Sequence, residues 1–214
     1  MQGTELRYRT RVPWFNDGSI VSISNFHCQG CSFSNKDVSC VGADQGRGVK
    51  VTLQVPSGRE GLVHQKRELI KSEFCSLSIP EVGFEIPART DKGQMNSVEG
   101  ILRLAQRNLQ TMVRSETMGE GIALFLEKLE DIIRGEKAWT LEMDDVSGNS
   151  MIEPSGPLDR DSCLTVVAYE RTPEDHEAVM EARAGVPADP VTAEEREARI
   201  LAALDEAEGN EFDE

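Results

Sequence analysis

Two cysteines near the amino terminus have the spacing of a metal-binding turn. Cys28 and Cys31 are separated by two residues and follow a strand-like stretch from Ile20 to Phe26. A Cys-x-x-Cys turn can place two thiolates on one zinc ion, but a structural zinc site as a rule needs four ligands. The sequence has no second Cys-x-x-Cys. The pair therefore predicts either half of a zinc site or a turn with two free thiols.

The other thiols and imidazoles do not complete a recognisable catalytic set. A thiol nucleophile such as Cys75 needs a base, and His64 could serve only if folding brought the two together. Cys75 borders an alternating strand, which favours a buried structural thiol. Oxygenases with a double-stranded β-helix bind iron through two histidines and a carboxylate. Such a triad is disfavoured because the only histidines lie at positions 27, 64 and 176.

A short polar segment, residues 144–150, is the second place where chemistry could be expected. It reads Asp-Asp-Val-Ser-Gly-Asn-Ser. Adjacent carboxylates on a strand point to opposite faces, so Asp144 and Asp145 are poorly placed to share one metal ion or proton. Gly and Asn accept positive φ, and Ser and Asn bond locally to the backbone. The segment therefore predicts a structured turn rather than a catalytic pair.

Alternating apolar and polar residues predict the strands that would position these groups. The strictest alternation is at residues 49–55, where every second residue is Val or Leu. The same period of two recurs at residues 82–86 and 139–143 and, less strictly, at residues 164–169. These segments predict a mainly β fold.

Between the strands the apolar period changes to that of a helix. Apolar residues recur at spacings of three and four within residues 98–113 and again within residues 122–133. Asn96 and Glu99 have the spacing of a capping box before the first helix, and Gly135 is suited to close the second. The two segments predict a helical hairpin inserted into the sheet over about residues 97–135.

The net charge of −15 is concentrated near the carboxyl terminus. Residues 172–214 hold 14 Asp or Glu against 3 Arg, so they carry −11 and the preceding residues are almost balanced. Broad nucleic-acid binding depends on basic residues that neutralise phosphates, and this composition disfavours it. No apolar run approaches the roughly 20 residues of a membrane span, and the first residues lack a signal-peptide stretch. We expect no membrane association and a cytoplasmic or nuclear location.

From residue 173 the composition predicts an acidic tail or linker that is mostly disordered. Few large apolar residues are available there to offset the entropy of ordering the chain. Within it, residues of about 193–207 carry a narrow apolar stripe that includes Ile200, Leu201 and Leu204. This segment is either a short docking helix for a partner or a solvated helix that frays.

Several segments of residues 3–172, taken in order, resemble one module of the ZPR zinc-finger family, in which a zinc ribbon precedes an A-domain. The resemblance rests on the order and spacing of the pieces rather than on any one of them. The pieces are Gly3-Thr4, Val12-Pro13-Trp14-Phe15, Cys28-x-x-Cys31 with Asn35, Gly48-Val49, Lys71-Ser72, Ile79-Pro80-Glu81, Phe84-Glu85-Ile86-Pro87, Val98-Glu99-Gly100, residues 144–150 and Tyr169-x-Arg171-Thr172.

The resemblance implies a zinc-ribbon-like hairpin, residues 1–41, packed on a double-stranded β-helix. The latter is the A-domain, residues 42–172, with the helical hairpin inserted. Members of the family are non-enzymatic binding proteins that bind translation elongation factor 1-alpha and assist its folding. Further partners that the resemblance implies are the cytoplasmic region of growth-factor receptor kinases and the survival-of-motor-neuron complex, with movement between cytoplasm and nucleus.

The resemblance also implies zinc on Cys28 and Cys31, but that site is incomplete in this sequence. In the family another Cys-x-x-Cys comes shortly before the Gly-Thr pair, and here its place falls before Met1. We therefore expect a truncated ribbon or a divergent one, neither of which has a complete zinc site. Eukaryotic members carry two such modules, so the acidic tail would be the linker to a second.

An incomplete ribbon would expose a cluster of aromatic residues, Trp14, Phe15, Phe26 and Phe33. Such a surface is suited to pair with an extended partner segment. Alternatively, these aromatics close the core between the ribbon and the A-domain. The competing class of function is a metal- or thiol-dependent enzyme on the double-stranded β-helix scaffold.

Overall fold

The structure is a computed structural model, and it describes residues 3–11, 20–28, 30, 34–40, 46–90, 93–113 and 120–184. The chain divides into two compact units, Met1–Val179 and Met180–Glu214, and nearly all described residues belong to the first. The strands are β1 (Gly3–Arg11), β2 (Ile20–Cys28), β3 (Ser34–Cys40), β4 (Gly48–Val55), β5 (Glu68–Lys71), β6 (Cys75–Ile79), β7 (Phe84–Ile86), β8 (Gln94–Ser97), β9 (Trp139–Asp145), β10 (Met151–Ile152) and β11 (Leu164–Tyr169). The helices are α1 (Arg59–His64), α2 (Val98–Val113), α3 (Glu120–Ile133) and α4 (Pro173–Ala184).

The strands form antiparallel sheets, which confirms the prediction of a mainly β fold. A five-stranded sheet has the order β11-β4-β9-β6-β7, and a three-stranded sheet has the order β10-β5-β8. The strands β1, β2 and β3 form a third sheet near the amino terminus. None of the helices in the described residues combines the length and the apolar character that crossing a membrane requires.

The core fills the space between the five-stranded sheet and the sheet of β10, β5 and β8. In β4, Val51, Leu53 and Val55 are buried, as the alternation predicts. They share one apolar cluster with Leu69 of β5 and Ile152 of β10. The same cluster includes residues of α2 and α3, so the helical hairpin covers part of this core.

The helical hairpin lies where the apolar period predicts it, but its first helix is capped differently. The Ser97 hydroxyl accepts the Gly100 backbone N–H at 3.0 Å, so Ser97, and not Asn96, is the capping residue. Asn96 instead accepts the Ser97 N–H, at 2.9 Å. A Cβ at position 100 would lie 2.0 Å from the Asn96 side-chain oxygen, which explains the glycine in the Val98-Glu99-Gly100 piece. The predicted Asn96–Glu99 capping box is therefore wrong, because the cap is Ser97 and the residue three positions later is a glycine.

Two glycines with positive φ set the ends of predicted elements. Gly135, at φ +73°, follows α3, and its carbonyl accepts the Gly58 N–H at 2.7 Å. Gly83, at φ +68°, interrupts the strand predicted for residues 82–86. Because residues 80–82 form a 3₁₀ turn that Gly83 closes, β7 begins only at Phe84.

The helix α4 occupies the first part of the segment that the composition predicts to be mostly disordered, so that prediction is wrong for residues 173–184. The Thr172 hydroxyl accepts the Asp175 N–H at 3.1 Å, which caps the helix, and Pro173 occupies its first position. Val179, at the end of the first compact unit, is buried. The helix predicted for about residues 193–207 lies outside the described residues.

Candidate functional site

The carboxylate of Asp145 is buried completely at the end of β9. Strand alternation from Trp139 places Asp145 on the core face and Asp144 on the opposite face, as predicted. A carboxylate away from water is costly unless hydrogen bonds replace its hydration. Its donors therefore determine whether this group is structural.

Asp145 accepts four hydrogen bonds from its own turn. One carboxylate oxygen, Oδ1, accepts the backbone N–H and the hydroxyl of Ser147, both at 2.7 Å. The other, Oδ2, accepts the Asn149 N–H at 3.1 Å and the Ser150 hydroxyl at 2.5 Å. These bonds form the structured turn that residues 144–150 predict.

A fifth donor comes from the loop between β5 and β6, far away in sequence. The Ser72 hydroxyl donates to Asp145 Oδ2 at 2.8 Å, and the Ser72 N–H donates to the Ser150 hydroxyl at 2.9 Å. The Ser72 hydroxyl also accepts the Phe74 N–H at 3.1 Å. Ser72 and Asp145 therefore join the two loops through side chains that are both buried.

Asp144 makes a separate, more exposed set of contacts on the other face of β9. Its carboxylate accepts the Tyr169 hydroxyl at 2.6 Å and forms an ion pair with Lys50 at 3.2 Å. Burial, and then the hydrogen bond to Asp144, raise the pKa of Tyr169 above its ordinary value. A Cβ at Gly48 would lie 2.3 Å from the Tyr169 ring, so the ring requires glycine there.

Arg171 connects this region to the start of α4. Its guanidinium donates to the Ser147 carbonyl at 2.9 Å and to the Arg47 carbonyl at 3.2 Å. Four of the sequence segments that carry the family resemblance therefore lie next to one another in the fold. Lys71 lies here as well, since its Nζ donates to the Ser72 carbonyl at 3.4 Å. We call this group the Asp145 junction, and it comprises Gly48, Lys71, Ser72, residues 144–150, Tyr169 and Arg171.

A second buried polar pair, Arg67 with Asp161, holds the loop before β11. The two side chains form an ion pair at 2.6 Å, and the Asp161 carboxylate also accepts the N–H groups of Ser155 and Cys163. Burial opposes ionisation of Asp161, but the hydrogen bonds from Arg67 and Ser155 outweigh it and lower the pKa of Asp161 below its ordinary value. No local sequence pattern indicates this pair, because Arg67 and Asp161 are far apart in the chain.

The thiol and imidazole considered as a catalytic pair lie in different surroundings. Burial, and then the charge of Asp145, raise the pKa of Cys75 to about 12, which makes its thiol a poor nucleophile. Burial, and then the charge of Arg67, lower the pKa of His64. Cys75 is fully buried in β6, and its Sγ donates to the Ser76 carbonyl at 3.1 Å. These surroundings support Cys75 as a structural thiol.

The structure does not test the predicted metal and partner residues. Trp14, Phe15, Cys31 and Phe33 lie outside the described residues, and Phe26 and Cys28 are described only as backbone positions of β2. Among the residues that are described, no three or more His, Cys, Asp or Glu side chains cluster as metal ligands would.

The facing antiparallel sheets, with their shared core and inserted hairpin, define a jelly-roll protein. A family model described as the ZPR1 jelly-roll domain matches residues 64–180. This match covers more than half of the chain and includes most of the Asp145 junction. The chain belongs to the ZPR1 jelly-roll family, which confirms the resemblance found in the sequence.

Named relatives agree with this assignment. Zinc finger protein ZPR1 of Mus musculus is 33% identical over 180 residues, which cover 82% of this chain and 38% of that protein. Zinc finger chaperone zpr1 of Schizosaccharomyces pombe is 32% identical over 177 residues, which cover 80% of this chain and 36% of that protein. An uncharacterised ZPR1-like protein of Methanocaldococcus jannaschii is 27% identical over 149 residues, which cover 68% of this chain and 71% of that protein. The chain thus spans little more than a third of these two eukaryotic relatives.

The Asp145 junction leads to a stability prediction. We expect Asp145→Ala to lower the free energy of unfolding by about 3 kcal/mol or more, because five donors lose their acceptor in a buried site. Denaturant unfolding followed by circular dichroism measures this change. The matched control is Asp144→Ala. The Asp144 side chain is 41% exposed, so this substitution should lower the free energy of unfolding by less than about 1 kcal/mol. Equal losses in the two variants would contradict a structural role for Asp145.

Proposed function

We propose that the chain is a non-enzymatic protein-binding module that acts as a chaperone or adaptor. The observation that carries this proposal is membership of the ZPR1 family, in which the relative from S. pombe is named a chaperone. The contacts of the buried reactive groups are consistent with such a role. Asp145 accepts five structural hydrogen bonds, Asp161 is paired with Arg67, and the Cys75 thiol has a raised pKa.

The client that we propose is translation elongation factor 1-alpha, whose folding the module would assist. The cytoplasmic region of receptor kinases and the survival-of-motor-neuron complex are further proposed partners, with action in the cytoplasm and the nucleus. The family resemblance supports these partners. The −11 charge of residues 172–214 would strengthen encounter with a basic client, because complementary charge raises association rates.

The partner-binding surface that we propose is the aromatic cluster of Trp14, Phe15, Phe26 and Phe33. Aromatic side chains carry much of the binding energy at protein interfaces, since they bury a large area at small cost in conformational entropy. Phe26 is a position of β2, the central strand of the amino-terminal sheet. Because both edges of β2 are already paired, a client segment would pack on the face of this strand rather than along its edge.

Zinc belongs to the proposed ribbon of the family, as the names of the relatives suggest. In this chain Cys28 and Cys31 would be two of its ligands. Two thiolates leave half of a tetrahedral zinc site without protein ligands. We therefore propose that the 214-residue chain does not hold zinc as a stoichiometric structural ion.

Client binding is tested with purified translation elongation factor 1-alpha. We expect the wild-type chain to bind it and the double variant Trp14→Ala/Phe15→Ala to bind at least about tenfold more weakly. Isothermal calorimetry gives the affinities, and circular dichroism shows whether the variant is folded. The control is Leu158→Ala, which truncates an exposed apolar residue of the jelly roll. Unchanged affinity in the double variant would refute the aromatic surface, and no binding by the wild type would refute the client.

The metal content of the purified chain distinguishes a protein-binding module from a metal-dependent enzyme. By mass spectrometry of the purified chain, we expect well under one zinc per chain, and Cys28→Ser/Cys31→Ser should leave the thermal midpoint unchanged. One zinc per chain that is lost in this double variant would contradict the proposal of an incomplete site. Stoichiometric iron would instead support the alternative of a metal-dependent enzyme.

A further inference from the structure

The strand β11 is an edge of the five-stranded sheet. It pairs with β4 on one side in a continuous antiparallel register, from Leu164 with Leu53 to Tyr169 with Gly48. Within the described residues, no strand pairs with its other side. An edge strand presents unpaired backbone donors and acceptors, and these can pair with another chain.

The register shows which backbone groups of β11 point outward. The Gln54 N–H donates to the Cys163 carbonyl at 2.8 Å, so this pair is one of the closely hydrogen-bonded pairs of the ladder. Such pairs alternate along an antiparallel ladder, so every second residue from Cys163 bonds to β4. Val166 and Ala168 therefore direct their N–H and C=O groups to the open side. They offer two donors and two acceptors to an added strand.

The edge of β11 lacks the usual features that prevent pairing with other chains. Natural edge strands carry lysine, proline, a bulge or inward-pointing charges. β11 reads Leu-Thr-Val-Val-Ala-Tyr, with no charged residue, no proline and no break in register. Val167 is 53% exposed, and Thr165 and Ala168 are exposed as well. These residue types favour strand pairing, and the edge that faces away from β4 is available for it.

We propose that β11 binds an extended, positively charged segment of a partner polypeptide by adding it as a sixth strand to the sheet. The charge of the occupant follows from the surroundings. Glu170 is exposed and directly follows β11, the acidic residues 172–214 continue from there, and Lys50, which lies opposite Val167, is already paired with Asp144. A second copy of this chain fits less well, because each copy carries −15 and the two would repel.

The inference rests on the proposed function in one respect, that the partner is a polypeptide whose strands are not yet fully paired. A client that is still folding offers such segments, and main-chain hydrogen bonds would hold them with little demand on sequence. The edge of β11 and the aromatic cluster comprise different residues, so the two can be tested with separate substitutions.

The probe is a synthetic peptide of alternating valine and threonine with a lysine at each end. Its comparison peptide carries N-methyl groups on alternate residues, which remove the donors that β11 would use. We expect the full-length chain to bind the first peptide and to bind the methylated one at least about tenfold more weakly. Fluorescence anisotropy gives the affinities, and amide shifts of Val166 and Ala168 in nuclear magnetic resonance spectra locate the contact.

Two substitutions at one position isolate the backbone donor. Ala168→Pro removes an N–H that points away from β4, and proline is tolerated on edge strands. We expect it to weaken peptide binding at least about tenfold, whereas the matched control Ala168→Ser keeps the N–H and should bind normally. If Ala168→Pro fails to fold, Val167→Lys serves instead, since its charge should weaken binding of the cationic peptide roughly fivefold.

Three results would overturn the inference. They are normal peptide binding by folded Ala168→Pro, equal affinity for both peptides, and a dimer of the chain in light scattering that Ala168→Pro abolishes. The last result would make a second copy the occupant. If the peptide fails to bind while translation elongation factor 1-alpha still binds, the edge proposal fails and the proposed function stands.

Discussion

The burial of one carboxylate, that of Asp145, is the constraint on which the rest of the site depends. A carboxylate in the protein interior is tolerated only where hydrogen bonds replace the water it has lost. Its five donors come from its own turn and from Ser72 in another loop. The turn supplies four of these donors, and the loop of Ser72 must pack against the turn for the carboxylate to gain the fifth. This requirement fixes the ends of β5, β6 and β9 relative to one another.

From this carboxylate the constraint extends to the carboxyl-terminal end of the jelly roll. The turn that Asp145 holds presents the Ser147 carbonyl to Arg171, and Thr172 then caps α4. On the other face, Asp144 holds the Tyr169 hydroxyl at the end of β11. The polar residues of the junction thus serve the fold. The partner surfaces that we propose, the open edge of β11 and the aromatic cluster, do not use these residues.

Much of this arrangement is predictable from local patterns, and the rest depends on contacts between distant residues. The strands, the helical hairpin and the turn after Asp145 follow from periodicity and turn chemistry. No local pattern could reveal that Ser72 completes this turn or that Arg67 meets Asp161, because side chains far apart in sequence meet only in the folded chain. The helix α4 had a local signal, Thr172 followed by proline and two acidic residues, but the acidic composition of the tail obscured it.

The most direct test of this account is the energetic coupling between Asp145 and Ser72. A double-mutant cycle with Asp145→Ala, Ser72→Ala and the double variant, each followed by denaturant unfolding, isolates that coupling. If Asp145 holds the two loops together, the double variant should lose less unfolding free energy than the two single variants lose in sum, by about 1 kcal/mol or more. If the single losses add up to the double loss within about 0.3 kcal/mol, the two residues act independently and the account is contradicted.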